Sequence, residues 1–556
     1  MSRQFSFRST PTVKMRRSSF PLDHGVKTTM NVGELIPVDC VEVYPGDTFK
    51  CREAHVARLS TSYLRPVMDN VFMDIYYFFV PSRLVFDDAE RVFGNPKPSA
   101  YVDNDLAEFP STPTTMTVSA KSVGRYLGLP IGKVPAGISL CKFRGFALIY
   151  NEWFRNENVT DEVYVHTGNY MISEVFNDNP WSTTNYTGRC PYVGKKKDYF
   201  TSALPSPQKG AQVTLGLSGD AIVRTSDGVL VPKSPNPLIM ATPDGVPISG
   251  MRNMAVWNSP ASPLANASVY LGAASSDSPG VNGGLHPANL YADLSEVNAT
   301  NVNDMRFAFA LQKMLEADAR YGTRYREYIL GHFGVSNGDA RMQIPEFLGG
   351  KRTPLNTMQV AQTSQNSEGN PLASLGAYSQ SSGRSRYTKS FTEHGFVYTL
   401  ACIRQLHTYQ QGIDKSWFRL KREDFYDPKF ANLGEQPIYN AELFVPQNIT
   451  SNSDVKSLGV FGYNEAWADL RYLPSRISGQ LSTGAENTLD VYHFGDYYSQ
   501  TPTLTNDFIL ESPKFFDRTL AVASDKQDNF VVDFWFNMNA VRVMPLYSIP
   551  GLIDHH

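Results

Sequence analysis

The stretch NFVVDFWFNMNAVRVMPL, residues 529–546, decides the fold class of this chain. Phe530, Val532, Phe534, Phe536 and Met538 fall on one side of an extended backbone. Asp533, Asn537 and Asn539 fall on the other, with Trp535 among them. Strand side chains alternate between two faces, so one face here packs on a core while the other meets something more polar. That is how a strand behaves in one sheet of a β-sandwich. Past Met538 the apolar phase moves to Val541 and Val543, which predicts a bulge around Ala540.

Working outward, VFMDIYYFFV at 71–80 is apolar almost throughout except Asp74 and stops at Pro81. It is too short for a buried helix of ordinary length and reads as a strand covered on both faces. HGFVYTLACIRQLH at 394–407 holds a second β-branched and aromatic run. With 40 Gly, 36 Pro and aromatics at 12%, the composition favours many short strands joined by turns.

One segment has helical spacing: NDMRFAFALQKMLEADARYGTRYREYILGHFG, beginning at Asn303. Phe307, Leu311, Met314, Leu315, Tyr321, Tyr325 and Ile329 recur at its period, which predicts a core-packing helix near 304–330. Asn303 or Asp304 can cap its first turn, and Gly331 is placed to end it. Arg320, Arg324 and Arg326 are expected in solvated or interfacial ion pairs. Between Thr201 and Leu290 well over half the residues are Gly, Ala, Ser, Thr, Pro or Asn, and no Glu occurs between Glu174 and Glu296. A structureless loop of that length inside a compact domain is improbable, so an inserted subdomain is expected.

Catalytic signals are poor. GGKRT at 349–353 lacks the upstream Gly of a phosphate loop, and GLSG at 216–219 lacks the final Gly of a nucleophile elbow. There is no HExxH, and His332, His394 and His407 lie in aromatic or apolar text that suits structural imidazoles. No carboxylate pair stands out, and no catalytic residue, metal site or cofactor is assigned. The cysteines (Cys40, Cys51, Cys141, Cys190 and Cys402) are scattered, odd in number and free of CxxC spacing. This argues against a disulfide framework and a structural zinc site, and for assembly in a reducing compartment. No run approaches the roughly 18 apolar residues of a membrane span, and no membrane insertion is expected. Without the apolar core of a secretory signal, the Asn-x-Thr sequences at Asn158, Asn185 and Asn448 carry no weight.

The chain opens MSRQFSFRSTPTVKMRRSSF, with Arg3, Arg8, Lys14, Arg16 and Arg17 and no acidic residue before Asp23. Removing those five charges takes the remainder from a formal -3 to -8. Pro11, the Ser/Thr interruptions and the alternating Phe5 and Phe7 oppose the amphipathic helix of a mitochondrial transit peptide. The stretch reads as a basic arm, or as a merely solvated flexible terminus; if it faces nucleic acid, its five cations can meet phosphates and Phe5, Phe7 and Phe20 can stack on unpaired bases. Lys195, Lys196 and Lys197 form a second basic cluster, expected in a solvated loop. NEWF at 151–154 and DKSWF at 414–418 are aromatic-rich, either as interface anchors or as interior residues.

Long strings in one order carry a family resemblance. They include ELIPVDCVEVYPGDTF at 34–49, PVMDNVFMDIYYFFVPSRLVFDD at 66–88, FRGFALIYNEWFRNEN at 143–158 and KKKDYFTSALPSPQKG at 195–210. LQKMLEADARYGTRYREYILGHFGVSNGDARMQIPEFLGG at 311–350 is highly characteristic. So are TYQQGIDKSW, NLGEQPIYN, RYLPSRISGQ and the end YSIPGLIDHH. On these residues the chain closely resembles the major capsid proteins of the gokushoviruses, small tailless single-stranded DNA phages of the Microviridae.

The resemblance implies a mainly β protein: an eight-stranded antiparallel jelly roll with long loop insertions and a few helices. It implies a virion protein, made and assembled in the bacterial host cytoplasm, sixty copies of which form a T=1 icosahedral shell around circular single-stranded DNA. Other phage structural or scaffolding proteins and an unknown host cell-surface receptor are the further partners implied. The expected organisation is a basic arm at 1–22, a first part of the jelly roll at 23–200 and a variable insertion at 201–295. The second part follows at 296–556. In the family such an insertion is associated with three-fold protrusions and host attachment. A β-sandwich adhesin that holds glycans on aromatic loops is the alternative class, and gives no reason for the basic arm; a β-rich hydrolase is a third, and predicts a convergent acid/base pair that the sequence does not show.

Overall fold

The computed structural model describes residues 16–93, 107–168, 179–211, 302–336, 343–361, 374–446 and 454–547, with short strands between 222 and 293. The chain divides into two compact units, one of residues 210–315 and one of the remainder.

The larger unit is a sandwich of two antiparallel sheets. Its strands are β1 (Ser18–Pro21), β2 (His24–Met30), β3 (Ile36–Val43), β4 (Thr48–Leu59) and β5 (Val71–Pro81). After a long excursion come β6 (Glu346–Leu355), β7 (Thr357–Ala361), β8 (Leu375–Ser390) and β9 (Gly395–Gln405); after another comes β10 (Phe530–Arg542). The first sheet has six strands, β1-β10-β4-β8-β7, with β2 also paired to β10; the second has four, β6-β5-β9-β3. Leaving aside β1 and β7, consecutive strands alternate between the sheets except from β5 to β6, the arrangement of a jelly roll. The added β1 and β7 bring the sandwich to ten strands rather than eight.

β10 alternates as its sequence dictates: Phe530, Val532, Phe534, Phe536 and Met538 are buried, while Trp535 is 54% exposed. The expected bulge at Ala540 is absent. Ala540 is buried, and pairing with β4 runs unbroken from Phe530 opposite Leu59 to Val541 opposite Thr48. Val541 continues the outward phase at the sheet's end, so its apolar character reflects local cover rather than a change of register.

β5 is buried on both faces. Val71, Met73, Ile75, Tyr77 and Phe79 join the core between the sheets. On the other face, helix α1 (Cys141–Ile149) runs into a π-helical turn, Tyr150–Phe154, whose Trp153 and Phe154 rings lie 5.4 and 6.0 Å from Phe78. The helix comes so close to the sheet that a Cβ at Gly145 would collide with the Tyr398 hydroxyl. That hydroxyl donates to the Lys142 carbonyl oxygen at 2.8 Å. A second, smaller core of Tyr199, Phe200, Tyr409, Ile438, Phe461 and Phe508 gathers the connection after β9.

The expected single helix is two, α2 (Val302–Tyr321) and α3 (Tyr325–Phe333). Gly322, at φ 99°, breaks the path in the left-handed region that favours glycine. Gly331 lies inside α3, and the terminator is Gly334 at φ 67°. In the smaller unit, strand pairs are nested along the chain: Ile222–Thr225 with Leu290–Asp293, then Met240–Ala241 with His286–Pro287, then Met254–Asn258 with Val269–Ala273.

Candidate assembly and nucleic-acid surfaces

Of the five cations assigned to the arm, Arg16 and Arg17 fall within the described residues and are exposed; Arg3, Arg8 and Lys14 lie outside them. Directly after Arg17 the chain becomes β1, with Ser18 opposite Arg542 and Pro21 opposite Asn539. Ser19 donates to the Asn539 side chain at 2.6 Å, and the Leu22 amide donates to the Met538 carbonyl at 2.7 Å. Residues 18–21 therefore belong to the sheet. Phe20 stands opposite Ala540, half-buried on the core side, and is no free stacking ring. Phe5 and Phe7 lie outside the described residues.

Helices α2 and α3 leave on the surface much of the apolar side that their periodicity predicts to be buried, although Ala319 is buried and Leu311, Leu315 and Ile329 are half-buried. Phe307 is 69% exposed, and Phe309, Met314, Tyr321, Tyr325, Leu330 and Phe333 are also on the surface. Apolar periodicity identifies a buried face without saying which molecule buries it. The arginines here are held within the chain. Arg320 meets Glu435 at 2.7 Å, Arg324 donates to the Asn151 carbonyl at 2.8 Å, and Arg326 lies over the Trp153 ring at 4.4 Å. The two aromatic loops divide. Trp153 and Phe154 are interior packing, and Phe418 is buried, but Trp417 is 77% exposed. Asp414 sets that turn by accepting from the Ser416 amide at 2.8 Å.

The second basic cluster divides too. Lys196 and Lys197 are exposed, but Lys195 is buried against Asp496 at 3.0 Å rather than in a solvated loop. Asp496 accepts from His407 Nδ1 at 2.8 Å, and Glu511 lies 3.0 Å from Nε2. Burial alone would lower the His407 pKa, but Asp496 and Glu511 outweigh it and push it up to about 9. Burial would likewise raise Asp496, yet His407 and Lys195 hold it well below the usual carboxylate range. Two cations and two carboxylates thus close on one another, which makes burial of the charges tolerable. His332 bonds Asp318 at 2.9 Å, and His394 stacks on Phe93 at 3.7 Å between ring centres. These imidazoles are structural. Lys351 and Arg352 of the GGKRT stretch lie in β6, and Arg352 is bound to Asp74 at 2.6 Å, with Arg404 on the same carboxylate at 3.2 Å.

All five cysteines are free thiols, and burial pushes those of Cys51 and Cys402 up to about 12. Among the described residues no helix is long and apolar enough to cross a membrane.

A sandwich with tightly paired interior charges, and rings left on its surface, is the form of a protein that builds by packing. Comparison with known proteins agrees. Residues 9–552 match the family described as "Capsid protein (F protein)". The chain is 38% identical over 548 residues to capsid protein VP1 of Spiroplasma virus 4, covering 96% of this chain and 95% of that one. It is 36% identical to capsid protein VP1 of Chlamydia phage 1, covering 98% and 97%, and 34% identical to that of Bdellovibrio phage phiMH2K, covering 99% and 98%. The chain belongs to this family of Microviridae phage capsid proteins. It is therefore a structural protein of the virion and not an enzyme.

Proposed function

We propose that this chain is the repeating unit of a T=1 icosahedral shell, sixty copies of which enclose a circular single-stranded DNA genome. The observation that carries this reading is the set of large apolar side chains left on the surface of a chain that already holds an extensive core among its described residues. Phe307, Phe309, Tyr325 and Phe333 on α2 and α3, and Trp417, Leu420 and Leu473 after β9, are the anchors neighbours would cover. Closed symmetry repeats each contact around the shell, so single contacts can be modest. Assembly takes place in the bacterial host cytoplasm with other phage structural or scaffolding proteins. The insertion at 201–295 contributes to host attachment; the compactness of residues 210–315 as a unit of their own supports this role.

The basic arm, with Arg3, Arg8, Lys14, Arg16 and Arg17, faces inward and holds DNA by phosphate contacts that position it without reading sequence. Five such contacts give a salt slope of about -3.5, so a fourfold rise in salt weakens the arm's hold roughly a hundredfold. Sedimentation and electron microscopy of the purified chain test the shell: uniform closed particles are expected, and a stable monomer at all concentrations would sink the idea. Deleting residues 1–17 spares β1 and tests the arm. Shells should still close and retain less DNA; unchanged retention and salt dependence remove the arm from genome contact.

A further inference from the structure

The outward face of the six-stranded sheet has no role in the account so far. Register places its residues in rows. Asn539, Lys50 and Thr388 stand side by side on β10, β4 and β8; the next row is Asn537, Arg52 and Arg386. Then come Gly25, Trp535, Ala54 and Arg384, followed by Lys27, Asp533, Val56 and Ser382. Val531, Arg58 and Gln380 form the row beyond. Lys27, Lys50, Arg52, Arg58, Arg384 and Arg386 are all exposed, and Asp533 is the lone carboxylate among these rows. No ion pair joins any of the six cations to another described residue.

Three features of this face select its occupant. Arg52 and Arg386 are direct cross-strand partners, an unfavourable placement of like charges that an anion lying across both strands relieves. Trp535 is supported from beside, since a Cβ at Gly25 would come within 3.2 Å of its Cε3, yet half of it is open to solvent. A braced, exposed indole between cations suits a base stacked above phosphates better than it suits an acidic peptide, which brings charge without flat rings. The one row with two cations, Arg52 and Arg386, lies toward the Arg542 end of β10, where β1 begins directly after Arg16 and Arg17.

We propose that this bare sheet face is a binding platform for single-stranded DNA. Lys50, Arg52, Arg384 and Arg386 hold successive phosphates, Trp535 takes a base, and Asn537 and Asn539 donate amide hydrogens to the sugar-phosphate backbone. The proposal rests on the shell reading and extends genome contact from the arm to the folded sandwich. Recognition of this kind is independent of sequence.

The test compares the full-length chain with Arg52→Gln/Arg384→Gln/Arg386→Gln, with Trp535→Ala, and with Lys196→Gln/Lys197→Gln as an exposed-charge control. Particles are examined by electron microscopy and by nucleic-acid absorbance. Binding of a fluorescent oligothymidylate to the unassembled fraction is followed by anisotropy across a salt series, after circular dichroism has shown each variant folded. The triple variant should form particles with less DNA and reduce the salt slope by about 2. Trp535→Ala should weaken binding on the order of fivefold with the slope unchanged, and the control should match the parent. Oligonucleotide affinity and slope unchanged in the triple variant would overturn the proposal, as would polyglutamate competing as well as DNA, or particle density placing this face outside. Failure of the parent chain to form any closed particle instead sinks the shell reading itself.

Discussion

The two sheets of the sandwich share one core and differ in what lies behind them. Behind the four-stranded sheet the excursion between β5 and β6 lays α1 and its π-helical turn, so Phe78 meets Trp153 and Phe154. Its buried carboxylate, Asp74, takes both Arg352 and Arg404. Behind the six-stranded sheet, Trp535 is open and six exposed cations face one carboxylate. A sheet covered on both sides contributes apolar burial to stability, whereas a face left bare and unpaired contributes little to it and is free to serve a ligand. Charge placement thus separates a structural surface from a working one.

Paired substitutions at matching positions break or sharpen that contrast. Phe78→Ala removes a ring packed on four others, Tyr76, Trp153, Phe154 and Phe347, and should cost about 3–5 kcal/mol, read by chemical denaturation. Trp535→Ala on the bare sheet should cost about 1 kcal/mol or less. Equal losses would mean that both faces are structural.

Acidity supplies the next test. His407, just past β9, has its folded pKa raised from 6.5 to about 9, so its contribution is complete below pH 6.5 and is lost as pH rises through about 9. Asp496 is depressed, so its contribution is present above its ordinary value of 3.8 and is lost as pH falls through the lower folded one. Denaturation midpoints should therefore fall on both sides of a plateau between roughly pH 4 and 6.5, and His407→Gln should flatten the alkaline limb. The smallest effect is expected on the bare face. Arg52→Gln/Arg386→Gln should shift stability by no more than a few tenths of a kcal/mol, toward greater stability, because directly opposed like charges are removed. A large loss there would assign those arginines to the fold.

What the sequence revealed follows the same division. Alternation in β10 and the apolar run of β5 were legible because burial on one or two faces writes itself into local periodicity. Lys50-x-Arg52 and Arg384-x-Arg386 carry a local signal as well, two basic residues two apart on one strand face. Their meeting on adjacent strands was not legible, because only long-range register joins positions so far apart in the chain. The apolar period of α2 and α3 was visible, but periodicity does not say whether the cover is the same chain or another, and the break at Gly322 and the end at Gly334 rather than Gly331 depend on backbone angles. Of the arm, the charges were plain to see, whereas the point at which it joins the sheet, Ser18, depends on pairing with β10.

β10 follows every other strand of the sandwich in chain order, yet it lies in the interior of its sheet, between β4 and the pair β1 and β2. During synthesis β1 and β2 have no partner until this last strand emerges, and the pairing they wait for spans nearly the whole polypeptide. Such long-range closure is slow. A chain cut short on the ribosome lacks the strand that joins its beginning to its middle, so an interrupted product cannot masquerade as a finished building block and enter a growing particle.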